Sequence, residues 1–187
     1  MIGGAVLAAG ASRRLGSPKQ LLRVHGTTFV RHAALCTLSA ADRSAVVVGH
    51  GAEAVIASLG ELPLETLENA EWSEGIASSI RLATGWARDN AFEALLLVLT
   101  DQPGLSAVHL QRLCARYRVT GAPVASRYSG VLGAPAIFPA SYFAALDRSS
   151  GDRGAGALLR QTIDAEAIDC PALELDVDTE AAARAFR

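Results

Sequence analysis

Sixteen of the seventeen basic residues in this 187-residue chain are arginine, and the only lysine is Lys19. It lies in the stretch Leu7-Ala8-Ala9-Gly10-Ala11-Ser12-Arg13-Arg14-Leu15-Gly16-Ser17-Pro18-Lys19-Gln20. Small residues at positions 8 to 11 let backbone N–H groups come close to a ligand, and Arg14 and Lys19 add cationic donors. A lysine ammonium is a compact point charge that serves well against phosphate. The loop therefore reads as an anion cradle suited to a polyphosphate. A plain glycine-rich turn with surface arginines is the structural alternative. Counting G-x-x-x-x-G-K from Gly10 puts Leu15 where glycine is required, so this is not a Walker loop. No G-x-G-x-x-G occurs here, which disfavours a dehydrogenase.

A second candidate is Asp101 in Leu99-Thr100-Asp101-Gln102-Pro103. A carboxylate directly after an apolar strand sits on rigid backbone, where it can hold Mg²⁺, an ion that favours one or two carboxylates plus substrate phosphates. A turn-forming Asp with Pro two residues later is the competing reading. Third, Glu68 to Ile80 runs as a loop into a helix start and offers backbone amides and the Ser78 and Ser79 hydroxyls to a base edge or sugar. Such a serine pair entering a helix more often serves as a cap. Fourth, Leu173-Glu174-Leu175-Asp176-Val177-Asp178 alternates, which predicts a strand with Leu173, Leu175 and Val177 on the core face. Asp176 and Asp178 then share the other face as further metal ligands, or as an exposed acidic edge. The histidines at 25, 32, 50 and 109 show no ligand or triad spacing, and His50 reads as a turn residue. With no G-x-S-x-G elbow and no Cys/His pairing, covalent catalysis has no support.

These residues fall at the ends of predicted elements. Strands are expected over Gly4–Ala8, Ala45–Val48, Leu62–Leu67, Ala94–Leu99, Pro123–Ser126, Ala136–Phe138 and Leu173–Val177. Helices are expected over about Thr27–Leu38, Ala52–Leu59, Gly75–Arg88, Ala107–Tyr117 with Ser106 as N-cap, and Ala155–Gln161. This alternation implies a three-layer α/β/α, open, mostly parallel sheet with right-handed crossovers. Ligands then bind beyond the carboxyl ends of the strands, which is where the candidate loops lie.

Composition narrows the classes. Half of the residues are hydrophobic and the formal net charge is −2, which excludes a disordered chain and argues against broad capture of nucleic acid. The longest apolar run, Ala94 to Leu99, has six residues, far short of the about 18 of a membrane helix. The start shows no basic segment before its apolar run, so no secretory signal is expected and the chain reads as cytoplasmic. Cys36, Cys114 and Cys170 are widely spaced and odd in number, and they read as core thiols in a reducing compartment. Without repeats or linkers, residues 1–187 are expected to form a single domain.

Taken together, Leu7-Ala-Ala-Gly-x-Ser-x-Arg14-Leu-Gly-x-x-Lys19, Asn69-x-x-Trp72-x-x-Gly75-x-x-Ser78-Ser79, Leu99-x-Asp101-Gln-Pro, Gly133-x-Pro135-x-x-Phe138, Gly151-Asp152-x-Gly154-Ala155 and Asp176-x-Asp178-Thr179 occur in one order. In that order the chain resembles the MobA-like nucleotidyltransferases, in particular their molybdenum cofactor cytidylyltransferase branch. The resemblance implies a Rossmann-like (GT-A-like) nucleotidyltransferase. A nucleoside triphosphate would be held by the Leu7, Ala8, Ala9 and Gly10 backbone, with Arg14 and Lys19 on the phosphates. Gly75, Ser78 and Ser79 would border base and sugar, and Asp101 would hold Mg²⁺ with help from Asp176 and Asp178. Arg14, Lys19 and Asp101 would be catalytic. Ala-Ala-Gly in the first loop favours CTP, whereas related guanylyltransferases tend to carry Ala-Gly-Gly. The implied acceptor is the terminal phosphate of molybdopterin, with pyrophosphate released and a molybdoenzyme as downstream client. Where many cytidylyltransferases read Arg-Gly-His-Pro, this chain reads Leu132-Gly133-Ala134-Pro135, and the family's Asp-x-Asp-Thr-Pro-Glu-Asp becomes Asp176-Val-Asp178-Thr-Glu-Ala-Ala. Transfer to a sugar phosphate or phospho-acid, and a non-catalytic module that escorts a cofactor to its apo-enzyme, stand as alternatives.

Overall fold

Six continuous apolar residues, Ala94–Leu99, make a strand that suits burial on both faces of a sheet, and this strand lies at the centre of the molecule. The structure is a computed structural model that describes residues 1–12, 18–152, 154–159 and 165–175. In chain order the main elements are β1 (Ile2–Leu7), β2 (Arg23–Val24), β3 (Thr27–Thr28), α1 (Phe29–Leu38), β4 (Arg43–Val48), α2 (Ala52–Leu59) and β5 (Glu65–Glu68). They continue as α3 (Ile76–Asp89), β6 (Ala94–Leu99), α4 (Ala107–Thr120), β7 (Val124–Tyr128), β8 (Val131–Pro139), α5 (Phe143–Asp147), α6 (Ala155–Leu159) and β9 (Glu166–Asp169).

Seven strands form one sheet in the order β5-β4-β1-β6-β8-β7-β9, and β2 pairs with β3 in a separate small hairpin. β5, β4, β1 and β6 run parallel, β8 is antiparallel to both its neighbours, and β9 is parallel to β7. Period-2 alternation divides the strands between two cores. Val6, Val46, Leu96 and Val98 face α1, α2 and α4, while Leu7, Val47, Leu95 and Leu97 face α3, α5 and α6. The three-layer, mostly parallel α/β architecture is the expected one. Each fully buried leucine of β6 stabilises it by roughly 1.5–3 kcal/mol, so the strand end that carries Asp101 is rigid.

Caps follow local chemistry. Thr28 accepts from the Arg31 amide at the start of α1, and Ser106 accepts from the His109 amide at the start of α4. The segment expected to begin a helix at Thr27 instead closes the β2–β3 hairpin first, and the third strand starts at Glu65 rather than Leu62.

One expectation fails outright. Leu173–Val177 does not begin as a strand: Pro171–Glu174 is a 3-10 turn with Pro at its start, and the last strand of the described chain is Glu166–Asp169. The alternation is not realised either, because Leu173 is fully buried while Leu175 is 53 % exposed. Pro171 has no N–H to offer a ladder, so extended pairing stops before it. Leu173 then plugs the core alone. The turn sits so close to Gly104 that a Cβ there would lie 1.9 Å from the Ala172 carbonyl oxygen. Val177, Asp176 and Asp178 lie outside the described residues, as do Arg160 and Gln161 at the end of the helix expected over Ala155–Gln161.

Candidate active site

The carboxyl ends of β1, β5 and β6 open onto one cavity of about 350 Å³. Leu7, Ala9 and Gly10 line it from the first loop, Trp72 and Gly75 from the loop after β5, and Asp101 from the loop after β6. Ser79 reaches it from α3, and Lys19 from the far end of the first loop.

Lys19 and Asp101, 82 residues apart in sequence, meet here: Nζ donates to Oδ2 at 2.5 Å, with both side chains largely buried. The other carboxylate oxygen, Oδ1, is buried and has no hydrogen-bond partner among the described residues. An orphaned carboxylate oxygen is costly unless something polar completes it. Its chemistry fits a hard divalent cation, which takes oxygen ligands. Among the described residues no three His, Cys, Asp or Glu side chains gather into a metal site. Among the described residues Asp101 is the cavity carboxylate that fits such an ion, with substrate phosphates and water able to supply further ligands.

The predicted residues do not all arrive. Ala8 belongs to the opposite core, and its amide is spent on the Val47 carbonyl at 2.8 Å. Ser78 lies behind the cavity wall, its hydroxyl donating to the Gly75 carbonyl at 2.9 Å. Arg14, Asp176 and Asp178 lie outside the described residues. Leu7, Ala9, Gly10, Lys19, Gly75, Ser79 and Asp101 are brought together. His50 is exposed beside this rim, its ring 4.9 Å from that of Trp72.

The serine pair is not a helix cap, since the N-cap of α3 is Gly75. Both hydroxyls are held by buried Asn69, whose Nδ2 donates to Ser78 Oγ at 2.8 Å and to Ser79 Oγ at 3.0 Å. The Asn69 amide cannot be turned over, because its Oδ1 accepts from the Glu71 N–H at 2.9 Å. Gly75 is needed for two reasons. Its φ is +113°, and a Cβ would lie 2.5 Å from Asp152 Oδ1 and 2.6 Å from the Gly151 carbonyl oxygen. Through that close approach the turn at Gly151–Asp152 becomes part of the wall, and Asp152 lines the cavity. Arg81 braces the same two segments, donating to Glu74 at 2.6 Å and to the Ser149 carbonyl at 2.9 Å. That contact lowers the Glu74 pKa and raises that of Arg81.

Gln20, Asn69, Trp72, Arg81 and Asp152 are site residues that sequence reasoning gave no role. Gln20 and Asn69 carried a readable signal, each being an amide placed in a loop otherwise marked for ligand binding. Arg81 carried none, since arginines are common in this chain. The cysteines, as expected, are free thiols: Cys36 and Cys114 are buried and Cys170 is partly so. Burial pushes Cys114 up to about 11 and raises the other two. None of the helices among the described residues is long and apolar enough to cross a membrane.

The sequence matches the MobA-like NTP transferase domain over residues 4–167, and the chain belongs to that family. Nicotine blue oxidoreductase of Paenarthrobacter nicotinovorans is 36 % identical over 168 residues, covering 84 % of this chain and 81 % of that protein. A Mycobacterium sp. strain JC1 homologue of Mycobacterium tuberculosis Rv0371c superimposes with a TM-score of 0.83 at 30 % identity, covering 98 % of this chain and 93 % of that one. Rv0371c from M. tuberculosis H37Rv, solved in complex with manganese, gives a TM-score of 0.77 at 28 % identity, with 99 % and 96 % covered.

Proposed function

We propose that this chain is a divalent-metal-dependent cytidylyltransferase. It would transfer CMP from CTP to the phosphate of a small-molecule acceptor, with molybdopterin as the favoured acceptor and Mg²⁺ as the working ion. The observation that carries this reading is the Lys19–Asp101 pair at 2.5 Å on the wall of one cavity, with Asp101 Oδ1 unpartnered among the described residues. The manganese complex of the mycobacterial relative supports a divalent working ion. Ala9 in the first loop supports CTP, as in relatives with Ala-Ala-Gly.

An ionised acceptor phosphate needs no general base, so catalysis rests on positioning and electrostatics. An acceptor oxygen forms a bond to the α-phosphorus in line, the bond from that phosphorus to the β-bridging oxygen breaks, and pyrophosphate leaves with the electron pair. Asp101 would hold the ion and so orient the triphosphate. When bound, the ion offsets charge on the α- and β-phosphates. Lys19, joined by Arg14, would place positive charge where pyrophosphate departs. Ser79 and Gly75 would border the base and sugar.

The test is pyrophosphate release from CTP, GTP, ATP and UTP with Mg²⁺ or Mn²⁺, offered molybdopterin, sugar phosphates and phospho-acids in turn. Release that requires the metal and the acceptor, and is fastest with CTP, is expected. Nucleotide binding with no release would replace the enzyme by a cofactor-escort module. The name of the Paenarthrobacter relative makes an oxidoreductase assay with nicotine blue the second arm, and turnover there without pyrophosphate release would overturn the transferase reading.

A further inference from the structure

A loop that binds a polyphosphate must hide its carbonyl oxygens, because each one turned toward the ligand repels it. In the first loop three consecutive carbonyls are already engaged. The Ala9 oxygen accepts from the His50 amide at 3.0 Å. The Ala8 and Gly10 oxygens both accept from one side chain, Gln20, whose Nε2 donates at 3.0 and 2.5 Å. Gln20 is only 1 % exposed. Carbonyls only accept, so the sense of this amide is settled: Nε2 faces them, and Oε1 is left to accept from the Ser12 hydroxyl at 3.3 Å. Ser12 Oγ in turn accepts from the Lys19 backbone N–H at 2.9 Å. One buried amide thus ties the glycine turn to the segment that delivers the Lys19 ammonium to Asp101.

We propose that Gln20 is the positioning residue that makes this loop receptive to a triphosphate, by holding the Ala8 and Gly10 carbonyls and setting Lys19 in register with the turn. The inference rests on the nucleotidyltransferase reading and deepens it. Its chemical content is that position 20 must donate. Gln20→Glu keeps the shape but sets acceptor oxygens against two carbonyls and adds negative charge beside an anion site. Protonation of that carboxyl restores one donor. Gln20→Met keeps the bulk and donates nothing.

The experiment measures binding of inorganic tripolyphosphate and of CTP with Mg²⁺ to the full chain by calorimetry between pH 5 and 8, together with melting temperature. Tripolyphosphate reads the cradle without base or turnover. At pH 8, Gln20→Glu is expected to weaken both ligands roughly tenfold relative to the unsubstituted chain, the scale of a charge-assisted contact. The gap should narrow as pH falls. Gln20→Met should weaken both several-fold with no such pH dependence. In turnover the loss should appear in KM for CTP, with kcat largely kept. A folded Gln20→Glu protein that binds as tightly as the parent at pH 8 would overturn the proposal. If Gln20→Glu does not fold, unchanged affinity in Gln20→Met does the same. An unsubstituted chain that binds neither ligand would bring down the functional reading itself, and this inference with it.

Discussion

The two halves of the sheet bury polar groups to opposite ends. On the β8-β7-β9 side most of the groups close on one another, while Gln102 Oε1 and His109 Nδ1 have no partner among the described residues. Ser126 Oγ donates to the Pro135 carbonyl at 2.7 Å and stands 2.8 Å from His109 Nε2. Since the serine proton goes to Pro135, Nε2 must carry the imidazole proton toward Ser126. Nδ1 is then a bare, buried nitrogen without a partner among the described residues. Gln102 and Tyr128 likewise both donate to the Ala134 carbonyl, at 3.0 and 3.1 Å. On the parallel side Asp101, whose Oδ1 has no partner among the described residues, lines a cavity, and Ser79 reaches it with a hydroxyl that accepts from Asn69. Equal burial therefore carries different meanings. A polar atom enclosed by protein is a structural tie, while one that lines a cavity is a place kept for a ligand.

If that distinction is right, substitutions on the two sides must separate activity from stability. Asp101→Ala should abolish pyrophosphate release, a drop of at least about 10³-fold or roughly 4 kcal/mol of barrier, while the melting temperature stays level or rises. A fall in stability instead would move Asp101 to the structural class. Ser126→Ala should do the reverse, costing roughly 1–3 kcal/mol in denaturant unfolding by stranding the Pro135 carbonyl and His109, with KM for CTP unchanged. Lys19→Ala should slow pyrophosphate release at least about tenfold, roughly 1.4 kcal/mol, with little change in unfolding.

The smallest effect is one of pH. Burial holds His109 down to about 4, against an ordinary value of 6.5. Below pH 6.5 the unfolded chain takes up a proton that the folded one refuses. Its contribution to stability is thus complete above that pH and is lost progressively as pH falls toward about 4. Urea midpoints measured across this range should lose part of their slope with pH in His109→Gln. An unchanged slope would assign the acid sensitivity elsewhere.

Much of the parallel half was legible in the sequence, because its signals are local. The run at Ala94–Leu99 and the helix at Ala52–Leu59 are found with the expected boundaries. Ser106 caps as its position beside an apolar period requires. The other half depends on pairing between distant segments. Leu173-Glu174-Leu175 alternates like a strand, yet the backbone is decided by Pro171 and by the seat that Leu173 finds in the core. The site divides the same way. Lys19 and Asp101 announced themselves by type and by place after a strand. Asn69 and Gln20 act by orienting other groups, a role that residue type alone does not reveal. Ala8 and Ser78 belong to motifs that reach the cavity, but the strand and helix periods turn them away from it.

The wedge of Ala172 against Gly104 carries a consequence for anyone redesigning this chain. The loop that presents Asp101 is propped from behind by a turn about seventy positions later, at a clearance too small for any side chain but hydrogen. Trimming or grafting near residue 172 is therefore surgery on the carboxylate proposed to hold the metal, carried out from the back of the protein.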